Sequence, residues 1–208
     1  IALNALAALA AATELGVPVE ESLAALATYA GAARRFETVG TAAGVEGIDD
    51  YAHHPTELRA TLAAARARAD GREVWAVFQP HTFSRLAALL DDFATAFGDA
   101  DRVYVTDIYA ARESDDLGLH ATHLAERIRS PERTCYASWP ELPQRLLADL
   151  ADRGGKGAGG VVLLTLGAGS ITTVGPRLLA ALRARAARPT GADQDGAADR
   201  GSRAADPS

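Results

Sequence analysis

The sequence is poor in several things, and each shortage excludes something. It has one cysteine, Cys135, so no disulfide can form within the chain, and a reducing compartment such as the cytoplasm fits. No apolar run reaches the ~18 residues that span a bilayer, so no transmembrane helix is expected. Lysine occurs once against twenty arginines, the formal net charge is -6, and no basic stripe is present, which argues against nucleic acid as the main partner. What is abundant is alanine, 47 of 208 residues; together with the arginine excess it reads as codon bias, so alanine-rich helices and arginine clusters carry little functional weight. Hydrophobic residues at 48% and charged residues at 23% are those of a globular protein long enough to bury a core. The chain opens on Ile1, directly in a helical pattern, with no charged segment or cleavage site before it. It reads as a piece cut from a longer chain.

Two alanine-rich helices are expected first, over residues 2–16 and 20–29, punctuated by Gly16, Pro18 and Gly31. Residues 35–49 alternate weakly and suggest short strands and turns. Pro55 and Glu57 then suit a helix N-terminus, and that helix runs to about Ala69. From residue 74 strands and helices alternate. Strands are expected at 74–78, 103–108, 134–137 and 161–166, with helices at 84–97, 120–129, 142–153 and 173–185. The spacing implies an α/β fold: a mostly parallel, Rossmann-like sheet with helices on both faces, its ligands bound beyond the carboxyl ends of the strands. Lys156 to Gly160 reads as a glycine-rich turn. From Arg188 the text loses periodicity and reads as a disordered tail.

Three segments at expected strand ends carry chemistry-bearing residues. In Asp50-Tyr51-Ala52-His53-His54-Pro55 the histidines can bind an anion, ligate a metal or cap the following helix. In Gln79-Pro80-His81-Thr82-Phe83-Ser84-Arg85 a His and an Arg stand at a helix mouth, where amide donors would add to an anion site; the plainer alternative is a Ser84 cap beside a solvated Arg85. In Asp107 to Glu113 the acidic residue can hold a ribose or a metal, or close a turn. Gly167-Ala168-Gly169 is half of a dinucleotide fingerprint without its third glycine. No G-x-x-x-x-G-K-[ST] loop and no nucleophile elbow are present.

Taken in order, GAARRFE, DDYAHHPTEL, VFQPHTFSR and DIYAARE resemble the C-terminal half of a Mur ligase, across residues 1 to about 180. The resemblance implies residues 1–34 as the last helices of a central ATP-binding domain, 35–187 as the Rossmann-like C-terminal domain, and 188–208 as a tail. It implies an ATP- and Mg²⁺-dependent ligation with UDP-N-acetylmuramate, L-alanine and ATP as small-molecule substrates. ATP phosphorylates the lactyl carboxylate, and the amine of L-alanine attacks the acyl phosphate. The phosphate-binding loop and the Mg²⁺ ligands would lie upstream of this chain, which alone would be inactive.

Carried over residue by residue, the resemblance places Asn4 against the adenine and Arg35 at the nucleotide phosphates, with Arg34 as an outward-facing neighbour. It places Asp50 at the ribose and Tyr51 in the same nucleotide pocket, while His53, His81 and Arg85 bind the amino acid, Arg85 through its carboxylate. Many relatives carry an arginine directly after the QPH histidine, where this sequence has Thr82. No catalytic residue and no metal ligand is assigned. Two other readings stand beside this one. One is a Rossmann-like module that binds a nucleotide without catalysis. The other is a metal-dependent hydrolase drawing on His53, His54, His81 and the pair His120 and His123, three apart on an expected helix.

Overall fold

The computed structural model describes residues 2–29, 31–153 and 159–187. The expected tail from Arg188 and most of the expected glycine-rich turn lie outside the described residues.

Helices α1 (Ala2–Glu14) and α2 (Val19–Thr28) form a hairpin, turned at Gly16 with φ +83°. They pack on each other and leave large apolar side chains in water: Leu3 is 80% exposed and Leu15 84%. Among the other described residues one six-stranded sheet forms, with helices on its faces. Its strands are β1 (Glu37–Ala42), β2 (Val45–Asp50), β3 (Glu73–Phe78), β4 (Arg102–Val105), β5 (Thr134–Tyr136) and β6 (Val161–Leu166). Their spatial order is β1-β2-β6-β3-β4-β5. Only β1 runs antiparallel, joined to β2 by the two-residue turn Ala43-Gly44, both residues with positive φ, as the twist of a tight hairpin requires. Every other pairing is parallel, as the alternation of strands and helices implies.

Alternate side chains of the central strands enter two cores. Val74, Ala76 and Phe78 of β3 and Val162, Leu164 and Leu166 of β6 face one side. There α3 (Pro55–Ala69), α4 (Phe83–Ala88), α5 (Leu90–Ala94) and α6 (Ala121–Arg127) cover them with Leu58, Leu62, Leu86, Phe93 and Leu124. Trp75, Val77, Val161 and Leu163 face the other side, under α7 (Leu142–Asp152) and α8 (Val174–Ala186). Strands buried on both faces explain the near-continuous apolar runs of the sequence. The single helix expected over 84–97 is two short ones. Leu89 leaves helical geometry (φ -122°, ψ 20°) and its amide bonds back to Arg85, so α5 starts anew from it. His120 does not begin α6 but caps it from outside. No helix among the described residues is long and apolar enough to cross a membrane.

The connections set where a ligand can sit. Strands β2 and β3 feed helices on one face, while β6, lying between them, feeds a 3-10 turn (Ser170–Thr173) and α8 on the other. The chain therefore diverges on both sides of the β6 carboxyl end and leaves a crevice there.

The candidate site at the carboxyl ends of the strands

Strand β2 delivers Asp49 and Asp50 to the crevice, and both are largely used up in holding the frame. Asp49 is 1% exposed. It accepts from the hydroxyls of Thr165 (2.6 Å) and Thr172 (2.8 Å) and from Nε of Arg34 (3.1 Å). Asp50 accepts from the amides of Ala52 (2.8 Å) and Phe36 (2.7 Å), and burial pushes its carboxyl up. The residue expected at the ribose thus ties the end of β2 to the loop before β1. Arg34 corrects an expectation. It is not the outward neighbour: its guanidinium turns inward to Asp49 and to the carbonyls of Gly167 (2.7 Å) and Gly169 (3.4 Å). Its φ of +58° reverses the backbone there, and Arg35 is the exposed member of the pair. Both guanidiniums lie over the ring of Tyr51, at 5.0 Å and 5.3 Å.

Beyond Tyr51 a row of rings crosses the crevice. Tyr51 meets His53 edge-on at 5.3 Å, and His53 meets His81 at 6.0 Å. His81 stacks on Tyr109 at 5.5 Å with 13° between planes. The sequence thus separates by dozens of residues groups that the parallel sheet brings side by side. His53 Nδ1 lies 3.0 Å from its neighbour carbonyl of Tyr51 and 3.4 Å from Glu57. His54 points away and caps α3, its Nδ1 accepting from Thr56 N–H at 3.4 Å.

On the β3 side, Arg85 Nη1 donates to the His81 carbonyl and sits 3.1 Å from His81 Nδ1. A guanidinium only donates, so Nδ1 is the acceptor and the proton of the neutral ring is assigned to Nε2. Burial, and then the Arg85 charge, hold the His81 imidazole below its usual range, so it is neutral at pH 7. The pair comprises an N–H donor and a guanidinium, groups that can each bind a carboxylate.

The mouth of α4 is not the free anion site that the sequence suggests. Glu113, from the β4–α6 connection, occupies it: the Ser84 amide (2.9 Å) and the hydroxyls of Ser84 and Thr82 (both 2.5 Å) all donate to its carboxylate. These bonds hold the Glu113 carboxyl down at about 2. Asp107 is likewise structural, accepting from the Tyr136 hydroxyl and the Trp139 amide (2.9 Å). Gly167-Ala168-Gly169 is closely packed. A Cβ on Gly169 would stand 2.5 Å from Gln79 Oε1 and 2.6 Å from the Tyr109 ring, so the glycine serves close packing. Gln79 in turn takes the Ile171 amide at 3.0 Å. Sequence reasoning missed Arg34, Gln79 and Glu113 in these roles; their motifs were visible, but their partners are far away in sequence.

His120 and His123 build the capping box of α6 and do not face the crevice histidines as a set. Among the described residues no three His, Cys, Asp or Glu side chains gather as a metal-ligand group. Asn4 is exposed on α1, whose main packing partner is α2.

An open, mostly parallel sheet whose connections diverge beside β6, with cations and imidazoles around the gap, defines a Rossmann-like α/β domain. The family model "Mur ligase, glutamate ligase domain" matches residues 34–169, and the chain belongs to the Mur ligase family. It is 63% identical over 199 residues to UDP-N-acetylmuramate–L-alanine ligase of Frankia casuarinae, covering 86% of this chain and 39% of that protein. It is 44% identical over 195 residues to the enzyme of that name from Mycobacterium tuberculosis, covering 90% and 38%. Among solved structures, UDP-N-acetylmuramate–alanine ligase of Thermotoga maritima superposes with a TM-score of 0.67 at 26% identity, over 88% of this chain and 38% of that one. A murein peptide ligase of Psychrobacter arcticus gives 0.60 at 27% identity, over 86% and 36%. The chain thus spans about two fifths of the length of these relatives.

Proposed function

We propose that this chain is the amino-acid-delivering domain of a cytoplasmic, ATP-dependent ligase that joins L-alanine to the lactyl carboxylate of UDP-N-acetylmuramate in cell-wall precursor synthesis. The observation that carries the reading is the meeting of His53, His81 and Arg85 at one crevice, in a chain 63% identical to a ligase of that name. The γ-phosphoryl group of ATP moves to a carboxylate oxygen, giving an acyl phosphate and ADP. The amine lone pair of L-alanine attacks the carbonyl carbon, phosphate leaves, and the amine nitrogen loses a proton. Each step gathers anions, so convergent positive groups stabilise it.

In this reading Arg85 and the Nε2–H of His81 hold the alanine carboxylate, and His53 borders the same pocket. Arg35 and Tyr51 meet the nucleotide, Arg35 as an exposed charge above an aromatic ring. Asn4 meets the adenine, and Asp50 reaches the ribose through the lone pairs its two amide bonds leave over. Residues 1–34 belong with a central nucleotide domain, 35–187 form the C-terminal domain, and 188–208 are a tail. The leucines that the α1–α2 hairpin leaves exposed support that division.

Among the described residues no three His, Cys, Asp or Glu side chains gather as a metal-ligand group, so these residues do not fit a resident Mg²⁺. In this reading its ligands fall to the upstream part of the enzyme.

The test is ADP release by the full-length enzyme. Release that requires both L-alanine and UDP-N-acetylmuramate is expected; release indifferent to either would overturn the reading. The 208-residue chain alone is expected to release none above background, because positioning supplies most of phosphoryl-transfer catalysis.

A further inference from the structure

The loop from Gln79 to Arg85 carries the two residues assigned to the amino-acid carboxylate, yet little of its own sequence holds it. Thr82, the residue before α4, makes no cap to the helix, and α4 is six residues long. The restraints come from the β4–α6 connection. Tyr109 N–H donates to the Pro80 carbonyl (2.8 Å), and the Tyr109 ring lies flat on the His81 imidazole. Four residues on, Glu113 takes the hydroxyls of Thr82 and Ser84 and the Ser84 amide. Pro80, His81, Thr82 and Ser84 are thus all gripped from one neighbouring segment. Gly169 completes the arrangement from the third side: its missing side chain is the space against which Tyr109 and Gln79 pack.

We infer that Tyr109 and Glu113 are positioning residues that fix the His81–Arg85 pair in the geometry an amino-acid carboxylate requires. The inference rests on the reading of this crevice as an amino-acid site. Neither residue needs to touch substrate. Tyr109 sets the plane of the imidazole, and so the direction of its Nε2–H. Glu113 sets the start of α4, and so the root of Arg85 one residue beyond Ser84. Rigid support of this kind matters because a displacement of about 1 Å at a binding group costs up to a hundredfold in rate.

The test is steady-state kinetics of the full-length ligase with L-alanine and ATP varied in turn. Tyr109→Ala and Glu113→Ala are each expected to raise the KM for L-alanine about tenfold, with the KM for ATP within about twofold. Glu113→Gln keeps an oxygen for the two hydroxyls and loses only the acceptor for the Ser84 amide, so it is expected to recover most of the loss. Equal changes in both KM values, or no change in either, would overturn the inference.

A second measurement does not depend on turnover. In the 208-residue chain the imidazole ¹⁵N titration of His81 is expected to move to higher pH in Tyr109→Ala, as burial lessens, and to stay in Tyr109→Phe. An unmoved midpoint in Tyr109→Ala contradicts the stacking role. If the wild-type enzyme prefers another amino acid, the proposed substrate falls. The KM split measured with that amino acid still decides the role of Tyr109 and Glu113.

Discussion

Two helices leave the same sheet, α3 after β2 and α4 after β3, and they start in opposite ways. Helix α3 brings its own beginning. His54 and Glu57 form a capping box, Pro55 fills the first turn, and Leu58, Leu62, Ala65 and Ala69 bury one stripe over 15 residues. Helix α4 has six residues and no cap of its own, and its Ser84 amide is met by Glu113 from another connection. The first helix is a foundation that follows from local sequence. The second is held in place from outside, and it carries Arg85. A binding loop of this kind gains its geometry from neighbours at the site, while the core beneath stays independent of the ligand.

That contrast can be broken or sharpened by substitution. The largest effect belongs to the foundation. Leu62→Ala removes a fully buried side chain and is expected to cost about 2–5 kcal/mol, read as a lower urea midpoint with an unchanged slope. Next is the α3 capping box. Glu57→Ala frees the His53 and His54 amides and is expected to cost about 0.5–2 kcal/mol in the same measurement. His54→Ala should cost less, at most about 0.5 kcal/mol, because the ring accepts only one long bond from Thr56.

The smallest effect is one of pH and belongs to α4. Glu113 is an exposed carboxylate whose folded value, about 2, lies below its ordinary 4.5. A depressed acid stabilises the fold above its unfolded value, and the stability it gives is lost as pH falls from about 4.5 through about 2. Glu113→Gln is expected to flatten that part of the urea midpoint's pH profile, and an unaltered profile would show the helix mouth to be unpaired in solution.

Much of this molecule was legible in the sequence where the cause is local. The runs at 74–78 and 161–166 mark β3 and β6 because strands buried on both faces must be apolar throughout. His54-Pro55 with Glu57 marks the start of α3. The segments of the crevice were recognisable because each follows a strand. What was not legible depends on partners distant in the chain. Arg34 and Arg35 look alike in sequence, and only a left-handed residue at 34 and a carboxylate at 49 decide which one turns inward. Asp107 looks like a ligand group, but the Tyr136 hydroxyl and the Trp139 amide, brought close by the fold, claim it. Glu113 looks like a solvated acid until Ser84, 29 residues earlier, is placed beside it. The break at Leu89 carries no proline or glycine to announce it.

The most direct measurement is the kinetics of Arg85→Ala in the full-length ligase, each substrate varied in turn. Losing a charge-assisted contact of about 1.5–3 kcal/mol is expected to raise the KM for L-alanine roughly ten- to a hundredfold, with the KM for ATP within about twofold. Arg85→Lys should recover only part of this, since an ammonium cannot reproduce the planar fork. An unchanged KM for L-alanine in Arg85→Ala would contradict the assignment of this crevice as the amino-acid site.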